Sequence, residues 1–225
     1  VSTLAEAAQT AARVAGCLSG EIGEEPAHLA RQAAWEHCKI RPDQLYVRGL
    51  FSGGSLCQEA LFLWQGLLGP VESNVPLPPG KELADPGRSR QHTALDLGDD
   101  FFTAGRPHPM IDPAARRERL LQEAGDPSVA VIVLDVVLGY GSHPDMAGAL
   151  LPAIREARSR ASAEGRYLPL VAHVVGTEED PQNARTQESQ LRSAGVVVAS
   201  TNADAARIAA LIALGEREGE DHGRR

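Results

Sequence analysis

The chain has 225 residues, 43% hydrophobic and 23% charged, which is ordinary globular usage and enough length to bury the core of one generous domain. Thirty acidic against twenty-two basic residues give a net charge of −8, and without a basic cluster to follow a phosphate backbone the sequence argues against nucleic-acid binding. No apolar run approaches the ~20 residues of a membrane span, and Glu6, Gln9 and Arg13 break up what would be the apolar part of a secretory signal.

Residues 2–37 are Ala-rich with helical periodicity, in two pieces broken around residues 20–26, so residues 1–43 read as a helical leader or the remnant of an upstream domain. Such a leader could not bury its apolar face unaided, which points to a homodimer or to other subunits of a hetero-oligomer. Strand and helix signals then alternate to the C-terminus. The strands Leu45–Phe51, Thr93–Leu97, Val129–Leu138, Leu168–Val175 and Val196–Ala199 are rich in Val, Ile and Leu without alternation, as in a parallel sheet covered on both faces.

The helices between them carry clear punctuation. Asp112-Pro113 opens one that Gly125 closes, and Asp145 opens another that ends at Gly165, with Pro152 as a kink or a late start. Asp180-Pro181 begins a third that stops at Gly195, and Asn202 caps the last, which ends near Gly215. Five such β-α units over residues 44–215 predict an α/β domain with a doubly wound parallel sheet in flavodoxin-like order. Residues 69–92, with five prolines, read as an irregular excursion, a functional flap or mobile insert, and residues 216–225 as a charged, disordered tail.

Ligands of open parallel sheets bind at the carboxyl ends of the strands. Here those ends are small, polar and glycine-rich. Ser52, Gly53, Gly54 and Ser55 bring a backbone close to an anion at a helix start, with Ser55 and Gln58 at capping-box spacing. Gly139, Gly141 and Ser142 close the third strand, and Gly176 and Thr177 the fourth. In the stiff loop Gly105–Pro113, Arg106 suits a phosphate or carboxylate and His108 suits proton transfer. His143 is held extended by Pro144, and Asp135 interrupts an apolar strand where an unpaired carboxylate is costly. His173 reads as a satisfied core histidine, while Cys57 suits either a stabilised thiolate or a small packing residue. Glu178, Glu179 and Asp180 suit Mg²⁺ or a helix dipole. Cys17, Cys38 and Cys57 lack metal-type spacing and form an odd set, which indicates a reducing cytoplasm and no structural metal.

With these segments laid out, the chain resembles the FdrA family, a branch of the succinyl-CoA synthetase-like proteins. The carrying residues are Tyr46–Cys57, Asp96–Asp100, Gly105–Pro113, Leu134–Asp145 and Gly176–Pro181, spread over roughly residues 44–213. The resemblance implies a flavodoxin-like ligase domain in which a helix N-terminus, here Ser52 to Ser55 by position, faces an acyl-phosphate or phosphohistidine intermediate. Two departures stand out. The loop where such synthetases carry their phosphorylated histidine reads Gly176-Thr177-Glu178-Glu179-Asp180-Pro181-Gln182 and holds none, and the CoA-binding nucleotide fold expected ahead of the ligase-like region is missing unless the chain is a fragment. The resemblance also implies a setting in allantoin and purine-nitrogen breakdown, as one subunit of a carbamoyltransferase using carbamoyl phosphate with oxamate or its carbamoyl product. The alternatives are a subunit of an NDP-forming acyl-CoA ligase and a non-catalytic assembly subunit. No cofactor of the chain's own is implied; CoA or Mg²⁺ would enter through a partner.

Overall fold

The computed structural model describes residues 2–17 and 26–215. The break expected around residues 20–26 lies outside them apart from Pro26, which opens a helix, and so does the tail 216–225. Helices α1 (Leu4–Val14) and α2 (Pro26–His37) lead into strand β1 (Tyr46–Phe51) and helix α3 (Gly54–Leu68). Then come β2 (Glu72–Ser73), β3 (Lys81–Glu82), β4 (Thr93–Asp96), the short α4 (Asp100–Thr103) and α5 (Ala114–Ala124). The chain continues through β5 (Val129–Val137), α6 (Met146–Ala163), β6 (Leu170–Val175), α7 (Ala184–Ser193), β7 (Val197–Ala199) and α8 (Asn202–Leu214).

Every strand pair is parallel, in the order β3-β2-β4-β1-β5-β6-β7. The five longer strands run β4-β1-β5-β6-β7, which is the flavodoxin-like order, with its switch point between β1 and β5. One face packs on α2, α3 and α8, the other on α5, α6 and α7. That is why β5 shows no alternation: Val129 to Val136 are buried whichever way they point. β1 and α3 pack unusually close, since a Cβ on Gly49 would lie 2.8 Å from Trp64, whose indole Nε1 donates to the Ala206 carbonyl at 2.8 Å. Arg48 of β1 is wholly buried between Glu123 (2.9 Å) and Asp126 (2.8 Å), tying the strand to the end of α5.

Several local expectations are corrected. The excursion 69–92 is partly regular, adding β2 and β3 to the edge of the sheet beyond β4. Helix α6 runs straight through Pro152 with Asp145 capping the Gly148 amide at 3.1 Å, so there is no late start. Helix α7 starts at Ala184 rather than Asp180, because Asp180 turns back to accept from the Thr177 amide at 2.6 Å and leaves Asn183 to cap Thr186. Thr201, not Asn202, caps α8; the Asn202 amide instead donates to Leu56 O and to Glu59. No capping box forms at α3, whose N-cap is Gly53 and which already contains Ser55 in its first turn. Helix α1 buries none of its residues, whereas α2 places Leu29 and Ala33 in the core against α8. No described helix is long and apolar enough to cross a membrane.

Candidate functional site

The switch point between β1 and β5 is organised by Asp135. Its fully buried carboxylate accepts the Ser52 amide at 2.9 Å, the Ser52 hydroxyl at 3.0 Å and the Gly53 amide at 2.9 Å, and Arg116 of α5 donates to it at 2.8 Å. Burial pushes the Arg116 guanidinium below its ordinary value, and the Asp135 charge opposes that shift. Two of the amides expected to meet an external anion are therefore held by an internal one. Asp135 and Ser52 shape the loop from beneath.

The helix start itself remains open. The Leu56 and Cys57 amides both turn onto the Gly53 carbonyl at 3.0 Å, while those of Gly54 and Ser55 have no partner among the described residues. Asp96, at the carboxyl end of β4, stands against this point: a Cβ on Gly54 would lie 2.8 Å from its Oδ2. Its Oδ1 accepts the Gly98 amide at 2.9 Å. Burial pushes the Asp96 carboxyl above its ordinary value; the Gly98 amide opposes this, Asp99 and Asp135 add to it, and His108 works against it. His108 accepts the Met110 amide on Nδ1 at 3.2 Å, so the neutral ring carries its proton on Nε2, which faces Gly98 beside Asp96. The cleft thus combines two amide donors at the positive end of a helix, a carboxyl with raised proton affinity and an imidazole N–H.

The other expected residues lie at the carboxyl ends of β5 and β6 and in the loop before α5. Gly139 (φ 120°) and Gly141 (φ 88°) adopt backbone conformations that favour glycine, and Gln182 clamps Gly139 through its amide (3.1 Å) and carbonyl (2.9 Å). The Ser142 amide closes a turn onto Gly139, and Gly176 packs so tightly on Leu138 that a Cβ would lie 2.7 Å away. Thr177 gives its amide and hydroxyl to Asp180. His143 accepts the Asp145 amide on Nδ1 at 3.0 Å, and its own amide donates to Met110 O at 2.8 Å, clipping the loop after β5 to the loop that carries His108. Arg106 sits on the exposed surface, 3.2 Å from Glu118 of α5, rather than beside Asp96. Ser52 through Ser55 and His108 are thus brought together with Asp96, which sequence reasoning left out of the site. The available signal was an acid closing an apolar strand, the same one that marked Asp135. Cys57 is completely buried and burial pushes its thiol well up, so it packs.

Residues 50–212 match the CoA-ligase family. The chain belongs to that family. Over 171 residues it is also 48% identical to the protein YahF of Escherichia coli (strain K12), itself described as uncharacterized. The match takes in 76% of this chain but 33% of YahF, so the chain spans about a third of that relative. Of the arginines bordering these loops, Arg116 is locked in a buried pair with Asp135, whereas Arg106 and Arg185 make exposed pairs with Glu118 and Glu178. No group of three metal-ligating side chains occurs among the described residues.

Proposed function

We propose that this CoA-ligase domain is an FdrA-type part of a carbamoyltransferase and holds carbamoyl phosphate, or a close acyl phosphate, at the start of α3. The observation that carries the reading is the juxtaposition of the open Gly54 and Ser55 amides with Asp96 and His108. The phosphoryl group takes the two amides and the dipole end; the carbamoyl NH₂ donates to Asp96, a pairing that acetyl phosphate cannot make. Burial already raises the proton affinity of Asp96, and a neighbouring dianion would raise it further. His108 Nε2–H serves the carbonyl or bridging oxygen, where negative charge grows as the carbon–oxygen bond to phosphate breaks and a carbon–nitrogen bond to the acceptor forms.

The histidine-free loop Gly176 to Gln182 supports a route without phosphohistidine. The role in allantoin nitrogen breakdown and the choice of oxamate as acceptor rest on the FdrA resemblance alone; a carbamate kinase gene beside this one would support them. Titration calorimetry of the full chain with carbamoyl phosphate, acetyl phosphate and CoA tests the site. Carbamoyl phosphate should bind tightest. Binding of CoA alone would place the chain with the NDP-forming ligases, and binding of none would make it an assembly subunit.

A further inference from the structure

Away from Asp96, at the carboxyl ends of β6 and β7, lies a cavity of about 230 Å³ lined by Glu59, His173, Ser200 and Asn202 and roofed by Leu4 and Ala5 of α1. Glu59 of α3 is buried, at 7% exposure. One of its oxygens accepts the Leu4 amide at 2.6 Å and the other accepts Asn202 Nδ2 at 2.7 Å. Both donors are neutral, and no lysine or arginine pairs with Glu59 among the described residues. The starts of two helices reach it, α1 through the Leu4 amide and α8 through Asn202, but neither brings a full positive charge. A buried carboxylate so placed carries a solvation deficit that a cation would relieve.

His173 adds a second acceptor. Its Nδ1 faces the Ala199 carbonyl at 3.2 Å and must donate to it, so the neutral ring presents the lone pair of Nε2, which meets no donor among the described residues. Burial lowers the proton affinity of this imidazole and keeps it neutral. The charges of Glu59, of its register partner Asp135 on β5 and of Glu188 oppose that shift without reversing it. Two acceptor groups, the Glu59 carboxylate and His173 Nε2, therefore line the cavity.

We propose that this cavity binds a small cation carrying N–H donors, ammonium or a short primary alkylammonium, between the Glu59 carboxylate and His173 Nε2. The site is independent of the one at Asp96. The first turn of α1 forms its roof, and the Leu4 amide competes with the ligand for Glu59.

The test is nitrogen-detected NMR of the His173 ring in the full chain, titrated with ammonium, methylammonium and potassium chlorides at constant ionic strength. A saturable shift of Nε2 with ammonium, absent with potassium, is expected; methylammonium reports whether the cavity takes an alkyl group. Glu59→Gln should weaken ammonium binding by about tenfold or more, the loss of one charge-assisted hydrogen bond. Leu4→Pro removes the competing N–H at the first helical position, where proline is tolerated, and should tighten binding severalfold. Should Glu59→Gln fail to fold, the cation comparison and Leu4→Pro still decide. Equal shifts with potassium, no shift with ammonium, or weaker binding in Leu4→Pro would each overturn the proposal.

Discussion

Asp135 and Ser52 lie 83 residues apart and are joined by three contacts: both carboxylate oxygens take the Ser52 amide at 2.9 Å, and Oδ1 also takes its hydroxyl at 3.0 Å. With Arg116 on the far side, this carboxylate is simultaneously half of a buried ion pair and the floor of the candidate cleft. Its replacement tests the first role. Asp135→Asn strands a buried guanidinium and presents an NH₂ group to backbone donors, so unfolding free energy should fall by about 3–5 kcal/mol, read from urea melts.

Asp96 carries the opposite expectation. The folded chain holds its proton more tightly than the unfolded chain, so stability is lost as pH rises through the folded-state pKa, and no difference remains below the ordinary value of 3.8. Asp96→Asn should therefore be more stable than the parent at pH 7, with the gap closing toward pH 4. The gain should stay below about 1 kcal/mol, because the group is half exposed and screened. Carbamoyl phosphate should meanwhile lose its advantage over acetyl phosphate.

Two glycines mark where ligand and side chains compete for space, and neither has a positive φ. A methyl at Gly54 would sit 2.8 Å from Asp96 Oδ2, and one at Gly98 would sit 2.5 Å from His108 Nε2. The neighbour of Gly54 is a movable side-chain end, so Gly54→Ala should keep a thermal midpoint close to the parent, whereas Gly98 also faces the Ser52 carbonyl at 3.1 Å and Gly98→Ala should lower it. Carbamoyl phosphate affinity should drop at least about tenfold in each, since a charge-assisted hydrogen bond is worth about 1.5–3 kcal/mol. Unchanged affinity in both folded variants would remove the ligand from this cleft.

Incubation with ATP, phosphate and CoA should leave the chain free of acid-labile phosphate on histidine, as mass spectrometry would read. The loop Gly176 to Gln182 has no histidine, and its Thr177 and Asp180 are bonded to each other. Phosphate found on His108, His143 or His173 would return the chain to the phosphohistidine ligases.

Thiol reactivity separates the cysteines. Cys17 and Cys38 are exposed, whereas Cys57 is buried with its thiol pushed up by burial and by the nearby Asp96 and Asp135 charges. Iodoacetamide should label the first two in the native state and Cys57 only after unfolding.

The sheet was legible because continuous Val/Ile/Leu runs have one economical solution, a strand covered twice; Val129 to Val136 is the clearest case. The edge strands were not: Glu72–Ser73 and Lys81–Glu82 are two residues each, and neighbouring backbone rather than apolar periodicity specifies them. Tertiary bonding also displaced local capping signals. Asp180 and Asn202 are good helix openers by type, but Thr177 and Glu59 claim their side chains. At the candidate site the strand-end rule pointed to Ser52 to Ser55, and the cost of a carboxylate inside an apolar strand pointed to Asp135. Neither could reveal that Asp135 would occupy the amides of Ser52 and Gly53 and leave Asp96 as the carboxyl at the open end.

The Asp135 clamp also fixes an order of events in folding. The Ser52–Gly53 turn comes early in the chain, yet the carboxylate that holds it arrives with β5, 83 residues after Ser52. A nascent polypeptide that has not yet exposed β5 and the Arg116 helix has no partner for those amides. The clamped turn therefore cannot form before β5 is in place, and a small ligand that needs it can only trap a sheet that has already closed around its central pair of strands.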